Sequence, residues 1–77
     1  MDINYHKRPG TGPVEALARE WNDPDLGDYA TLRLSLPMPG DESLDLNLFL
    51  DSVDDIREIA SEILAATSPG RLKENDL

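Results

Sequence analysis

The sequence predicts a small α+β domain of order α-β-β-α, an antiparallel β-hairpin packed against a long C-terminal amphipathic helix and a short N-terminal helix. Three observations predict it. Leu44-Asp-Leu-Asn-Leu-Phe-Leu50 alternates strictly, and Tyr29 to Leu36 does the same through Ala30, Leu32, Leu34 and Leu36. Past Asp51-Ser52, the residues Val53, Ile56, Ile59, Ala60, Ile63 and Leu64 recur at helical spacing, so the apolar period changes from 2 to about 3.6. Val14, Leu17, Ala18 and Trp21 form a shorter stripe with the same helical spacing.

Residues 1–12 hold Pro9, Gly10 and Gly12 with little apolar content, and read as a flexible arm. Pro13 suits the first turn of the N-terminal helix, where its missing N–H has no partner to lose. Glu15 and Arg19 stand four apart in the favourable order. Asn22-Asp23-Pro24 ends that helix, because the residue before proline is pushed out of the α region. A loop from Asp23 to Asp28 leads into the first strand. Pro37-Met-Pro-Gly-Asp-Glu-Ser43 connects the two strands and is too long for the tightest hairpin turn. For both leucine rows to share a face, paired residue numbers must have the same parity. The register that keeps Pro37 out of the ladder sets Leu36 opposite Leu44, Leu34 opposite Leu46, Leu32 opposite Leu48 and Ala30 opposite Leu50. The other face then carries Thr31 against Phe49, Arg33 against Asn47 and Ser35 against Asp45, with Arg33 diagonal to Asp45 and able to pair with it. Ser52 caps the second helix, with Asp55 three residues on completing a capping box and Asp54 favouring the positive end of the helix dipole. That helix runs to about Ala66, where Thr67-Ser68-Pro69-Gly70 stops it.

The chain has 77 residues, enough for one domain, read here as residues 13–67 followed by a polar tail at 68–77. A domain of this size hides only roughly 60% of its unfolded surface, so its core is thin. A two-stranded sheet has both edges open and calls for a further strand from residues 1–12, a second copy or another protein. Cysteine is absent, which excludes disulfides and thiolate metal sites and suits a reducing compartment. No apolar run is long enough to span a membrane, and the basic pair Lys7-Arg8 is followed by no hydrophobic stretch of a secretory signal. The expectation is a soluble, cytoplasmic protein, without a membrane partner. Arginine outnumbers lysine, which hints at a high-GC bacterial or phage source.

The formal net charge is −9. Between Glu20 and Glu62, twelve carboxylates stand against Arg33 and Arg57, a net of −10, leaving +1 on the two ends. An acidic body repels phosphates, so direct nucleic-acid binding is not expected. Solubility alone explains such a charge; a contact surface for a basic partner is the sharper reading.

Four places could carry chemistry or contact. Asp23-Pro-Asp25-Leu-Gly-Asp28 resembles a calcium loop only superficially, since its glycine falls early and Leu34 stands where the bidentate glutamate belongs. It reads as an acidic turn, and no metal or other cofactor is expected. Asp51, Asp54, Asp55 and Glu58 occupy the polar start of an amphipathic helix, where capping accounts for them better than acid–base catalysis. His6, the sole histidine, has no partner for a catalytic dyad. Tyr5-His-Lys-Arg8 could instead dock the arm on an acidic surface, including this chain's own. Phe49 falls on the face opposite the leucines, beside Thr31 and near Tyr29. With Arg33 and Asp45 it makes a candidate contact patch, because aromatics and arginine are enriched at interface centres.

No catalytic constellation is present, so the expected function is not enzymatic. The leading reading is a small acidic protein-interaction module, a regulator or inhibitor that binds a larger and basic protein partner. Its contact residues are Tyr29, Arg33, Asp45, Asn47, Phe49, Asp54, Asp55, Glu58 and Glu62, on the outward side of the run from Leu44 to Leu64. A homodimer through a strand edge or the Phe49 face would satisfy the open sheet. The alternative is a DNA-mimic inhibitor. It requires Asp41, Glu42, Asp45, Asp51, Asp54, Asp55, Glu58 and Glu62 to form one continuous exposed face for a nucleic-acid-binding protein.

Overall fold

The computed structural model describes residues 1–75, with side chains placed to residue 72. Three strands, β1 (Glu15–Asp23), β2 (Gly27–Met38) and β3 (Glu42–Leu50), precede α1 (Val53–Ala66) and a short α2 (Pro69–Asn75). The strands form one antiparallel sheet in the order β1-β2-β3.

The order is therefore β-β-β-α, and there is no N-terminal helix. The stripe of Leu17, Ala18 and Trp21 is satisfied by a strand as well as by a helix, since Leu17, Arg19 and Trp21 also alternate. Helix propensity in Glu-Ala-Leu-Ala-Arg-Glu amounts to a few tenths of a kcal/mol per residue, and pairing outweighs it. As a strand, the segment gives β2 a second neighbour and satisfies backbone groups that a hairpin alone leaves open. Its turn is built for the purpose. Gly27 has φ 85°, a conformation that suits glycine. The Asp23 carboxylate accepts the backbone N–H groups of Asp25 at 2.7 Å and Leu26 at 2.9 Å. The third strand thus comes from within the expected helix, with Glu15 opposite Ser35 and Asp23 opposite Gly27.

The β2–β3 register is the one parity requires: Leu36 faces Leu44, Leu34 faces Leu46, Leu32 faces Leu48 and Ala30 faces Leu50. Both strands run further than expected and include Pro37, paired with Ser43. Pro37 lies beyond the end of β1. Its carbonyl accepts the Tyr5 hydroxyl from the N-terminal segment. In a strand a residue's N–H position and carbonyl point the same way, so the missing N–H faces the side β1 does not reach. The hairpin closes through Pro39-Gly40-Asp41, with Gly40 at φ 79° and Asp41 at φ 62°.

α1 begins where the capping box places it, with the Asp55 carboxylate accepting the Ser52 N–H at 3.2 Å. It ends at Ala66, with the Thr67 hydroxyl donating to the Leu64 carbonyl at 3.0 Å. Pro69 then opens α2, where a polar tail is expected; residues 76–77 of that tail lie outside the described residues.

α1 packs over the leucine face, but thinly. Among the described residues, Ala30 and Leu32 alone are buried, and no residue of α1 is. The radius of gyration is 15.5 Å, against roughly 11.5 Å for a compact chain of this length. The accessible surface is 6633 Å², against roughly 4,700 Å² for a folded monomer of this mass. Among the described residues, no helix is long and apolar enough to cross a membrane.

Candidate functional site

Two surfaces are open, one on each side of the sheet. On the first, strand alternation lines up Trp21, Tyr29 and Phe49 across β1, β2 and β3. Trp21 and Tyr29 are direct cross-strand partners, their ring centroids 6.1 Å apart and their planes 10° from parallel. Tyr29 and Phe49 are diagonal neighbours at 6.4 Å and 27°. The Trp21 Nε1–H donates to the Thr31 hydroxyl at 2.9 Å, which fixes the indole. The Arg19 guanidinium lies 4.2 Å from the centre of the Trp21 ring, close enough for a cation–π contact. Trp21 and Tyr29 are half-buried by this stacking, whereas Phe49 is 74% exposed. Leu17, Arg33 and Asn47 complete the rim of a shallow depression of about 240 Å³.

Polar order extends along the same face. Arg33 donates from Nη2 to Asp45 Oδ2 at 2.6 Å, the diagonal pair the register predicts. The Ser43 hydroxyl donates to Asp45 Oδ1 at 3.1 Å. The Arg33 hydrogen bond, with help from Ser35 and Ser43, holds the Asp45 carboxyl below its usual range. Arg19 and Arg33 are the only cations in the three strands, and they flank the aromatic row.

The second surface runs along α1. Leu50, Ile59, Ile63 and Ala66 floor an open cleft of about 490 Å³. Asp55, Glu58 and Glu62 form its rim. Ile63 is 55% exposed, and Leu64, further round the helix, is exposed as well. Arg57 is the only cation in α1 and pairs with Asp54 at 3.2 Å, both largely exposed to water. Among the described residues, Glu58 and Glu62 form no ion pair, and the last turn of α1 carries no basic residue.

The residues singled out from sequence thus fall in two groups. Tyr29, Arg33, Asp45, Asn47 and Phe49 share the aromatic face. Asp54, Asp55, Glu58 and Glu62 lie on α1, which packs over the other side of the sheet. They do not form one surface. Leu17, Arg19 and Trp21 belong to the aromatic face and go unnoticed while their segment reads as a helix. The hairpin signal was there in Asp23-Pro-Asp-Leu-Gly27 between two alternating segments. The Asp23 carboxylate serves that turn, and its two N–H donors, Leu26 foremost, lower its pKa. Among the described residues, no three His, Asp or Glu side chains converge as metal ligands.

The chain matches no protein-family model, no curated protein and no solved structure.

Proposed function

We propose that this protein is a small acidic interaction module, a soluble cytoplasmic regulator or inhibitor that works by binding a larger protein and performs no chemistry itself. The carrying observation is the unfinished core. Two buried residues among those described and an excess of roughly 2,000 Å² of surface describe a protomer that gains by covering its faces with something else. A standard protein–protein interface removes about 800 Å² from each partner, so the excess is enough for one. Each side of the sheet exposes large apolar side chains to such a partner, Leu17 and Phe49 on the aromatic face and Ile63 and Leu64 on α1.

The DNA-mimic reading draws less support. Its acids are divided: Asp41 and Glu42 at one end of β3, Asp51 at the other, Asp45 tied to Arg33 on the aromatic face, and Glu58 and Glu62 on α1. β3 has nine residues, which at about 3.3 Å each separates its ends by roughly 30 Å.

The test is the behaviour of the isolated chain. The interaction reading expects it to bind the dye ANS, to have a hydrodynamic size above that of a compact 77-residue monomer, and to melt at a higher temperature once its protein partner is added. A compact, ANS-silent monomer with a sharp thermal transition contradicts it.

A further inference from the structure

We infer that the cleft beside α1 is the docking groove, and that its occupant is a basic amphipathic helix of the partner. The inference rests on the interaction reading and adds the site and the partner's chemistry to it. The floor is aliphatic: Leu50, Ile59 and Ile63 present branched side chains along one flank of the helix. Ile59 and Ile63 are four residues apart, one helical turn, and match the i, i+4 rows of an opposing helix packed ridge into groove. α1 has 14 residues, so it offers a seam of about 21 Å, the length of a partner helix of similar size.

Charge selects the occupant. Asp55, Glu58 and Glu62 follow the floor at helical spacing, on one side of it. Arg57, the only cation of α1, is engaged by Asp54 on another side. The negative end of the helix dipole falls at Ala66, with no basic residue in the last turn to offset it. A second copy of this chain is the poorer occupant. It would bring a second row of carboxylates into the seam and set one −9 body against another. The aromatic face has Arg19 and Arg33 beside its rings, with Asp45 already tied to Arg33, so it offers a basic segment fewer free carboxylates than the cleft rim does. A helix with leucines on one side and lysine or arginine beside them satisfies both floor and rim.

The experiment uses the full chain, isotopically labelled, and two synthetic helical peptides of about 18 residues. Both carry the same leucine stripe; one is flanked by lysine and arginine, the other by glutamate. The basic peptide is expected to shift the amide resonances of Leu50 and of Asp55 to Ala66. Its affinity should fall about tenfold or more between low and high salt, and the acidic peptide should not bind. The double variant Glu58→Lys, Glu62→Lys alters two exposed side chains and should reverse the preference between the peptides. Equal binding of both peptides, no effect of the charge reversal, or shifts confined to Trp21, Tyr29 and Phe49 each overturn the groove assignment. A stable dimer that Ile63→Asp dissociates also overturns it in favour of a second copy, and leaves the interaction reading standing. Failure of both peptides with a compact, ANS-silent chain removes both readings together.

Discussion

The two faces of the sheet are built from the same three strands by different means. The leucine face relies on area alone. Its side chains have no polar handles, and α1 covers only enough to bury Ala30 and Leu32. The aromatic face has no helix over it, yet its side chains hold one another: ring against ring, indole N–H to Thr31, guanidinium against Trp21, and Arg33 to Asp45. Aliphatic packing needs a cover, because contact free energy scales with hidden area. Aromatic and polar cross-strand pairs can order a face that stays wet. Folding therefore hangs on the leucine side, and the other side is ordered by its own cross-strand contacts.

The largest effect should come from the centre of the leucine face. Leu32 is 7% exposed and, among the described residues, is the only large side chain that is buried. Leu32→Ala should cost about 2–5 kcal/mol, which a core this small cannot absorb. Urea titration followed by circular dichroism should find the variant unfolded or nearly so in water. A loss below about 1 kcal/mol would mean that the leucine face does not hold the fold, and would reverse the contrast drawn between the faces.

A smaller effect is expected on the other side. Trp21→Ala removes the stacking on Tyr29, the Thr31 hydrogen bond and the seat of Arg19, on an edge strand. Cross-strand pairs contribute roughly 0.2–1 kcal/mol each, so the loss should be about 1–2 kcal/mol. Chemical denaturation measures it, and nuclear magnetic resonance checks that β1 remains paired with β2. If Trp21→Ala proves as damaging as Leu32→Ala, the aromatic face is a second core and not a surface.

These two residues also mark what could be read from the chain. Leu32 was legible, as were the β2–β3 register from Ala30–Leu50 to Leu36–Leu44, the Arg33–Asp45 pair and the Ser52 start of α1; the extension of the ladder through Pro37 was not. Each follows from a strict period or from a local cap, neither of which depends on distant contacts. Trp21 was not, because Glu15 to Trp21 satisfies both periods over so short a span. Its state was decided by β2, a non-local partner whose gain exceeds helix propensity. While that segment reads as a helix, Phe49 and Tyr29 can be placed on the aromatic face from alternation, but Trp21, Arg19 and Leu17 cannot join them. The split of the acids between two sides of the sheet was hidden for a simpler reason. Alternation fixes which face of β3 Asp45 takes, whereas the side over which α1 folds follows from the leucine row and leaves its own polar flank unassigned.

The smallest effect tests whether the polar order of the aromatic face contributes to stability at all. Asp45 sits below its usual carboxylate pKa of 3.8, chiefly through the Arg33 hydrogen bond, then through Ser35 and Ser43. A group whose folded pKa is depressed stabilises the fold above its unfolded pKa, and that contribution is lost as pH falls through the folded value. The pair therefore acts in full at neutral pH and fades below about pH 4. Asp45→Asn deletes the titration. The variant should be slightly less stable than the parent at pH 7, and the two should converge as the pH falls below the folded pKa of Asp45. The carboxylates of α1 lie over the other side of the sheet and are common to parent and variant, so the difference between the two reports on the aromatic face. Thermal melts of parent and variant across the acid range, at low salt where an exposed pair is least screened, provide the measurement. Parallel curves with no convergence would show that Arg33 and Asp45 meet without stabilising anything, leaving ring stacking and the Trp21–Thr31 bond as the only order on that face.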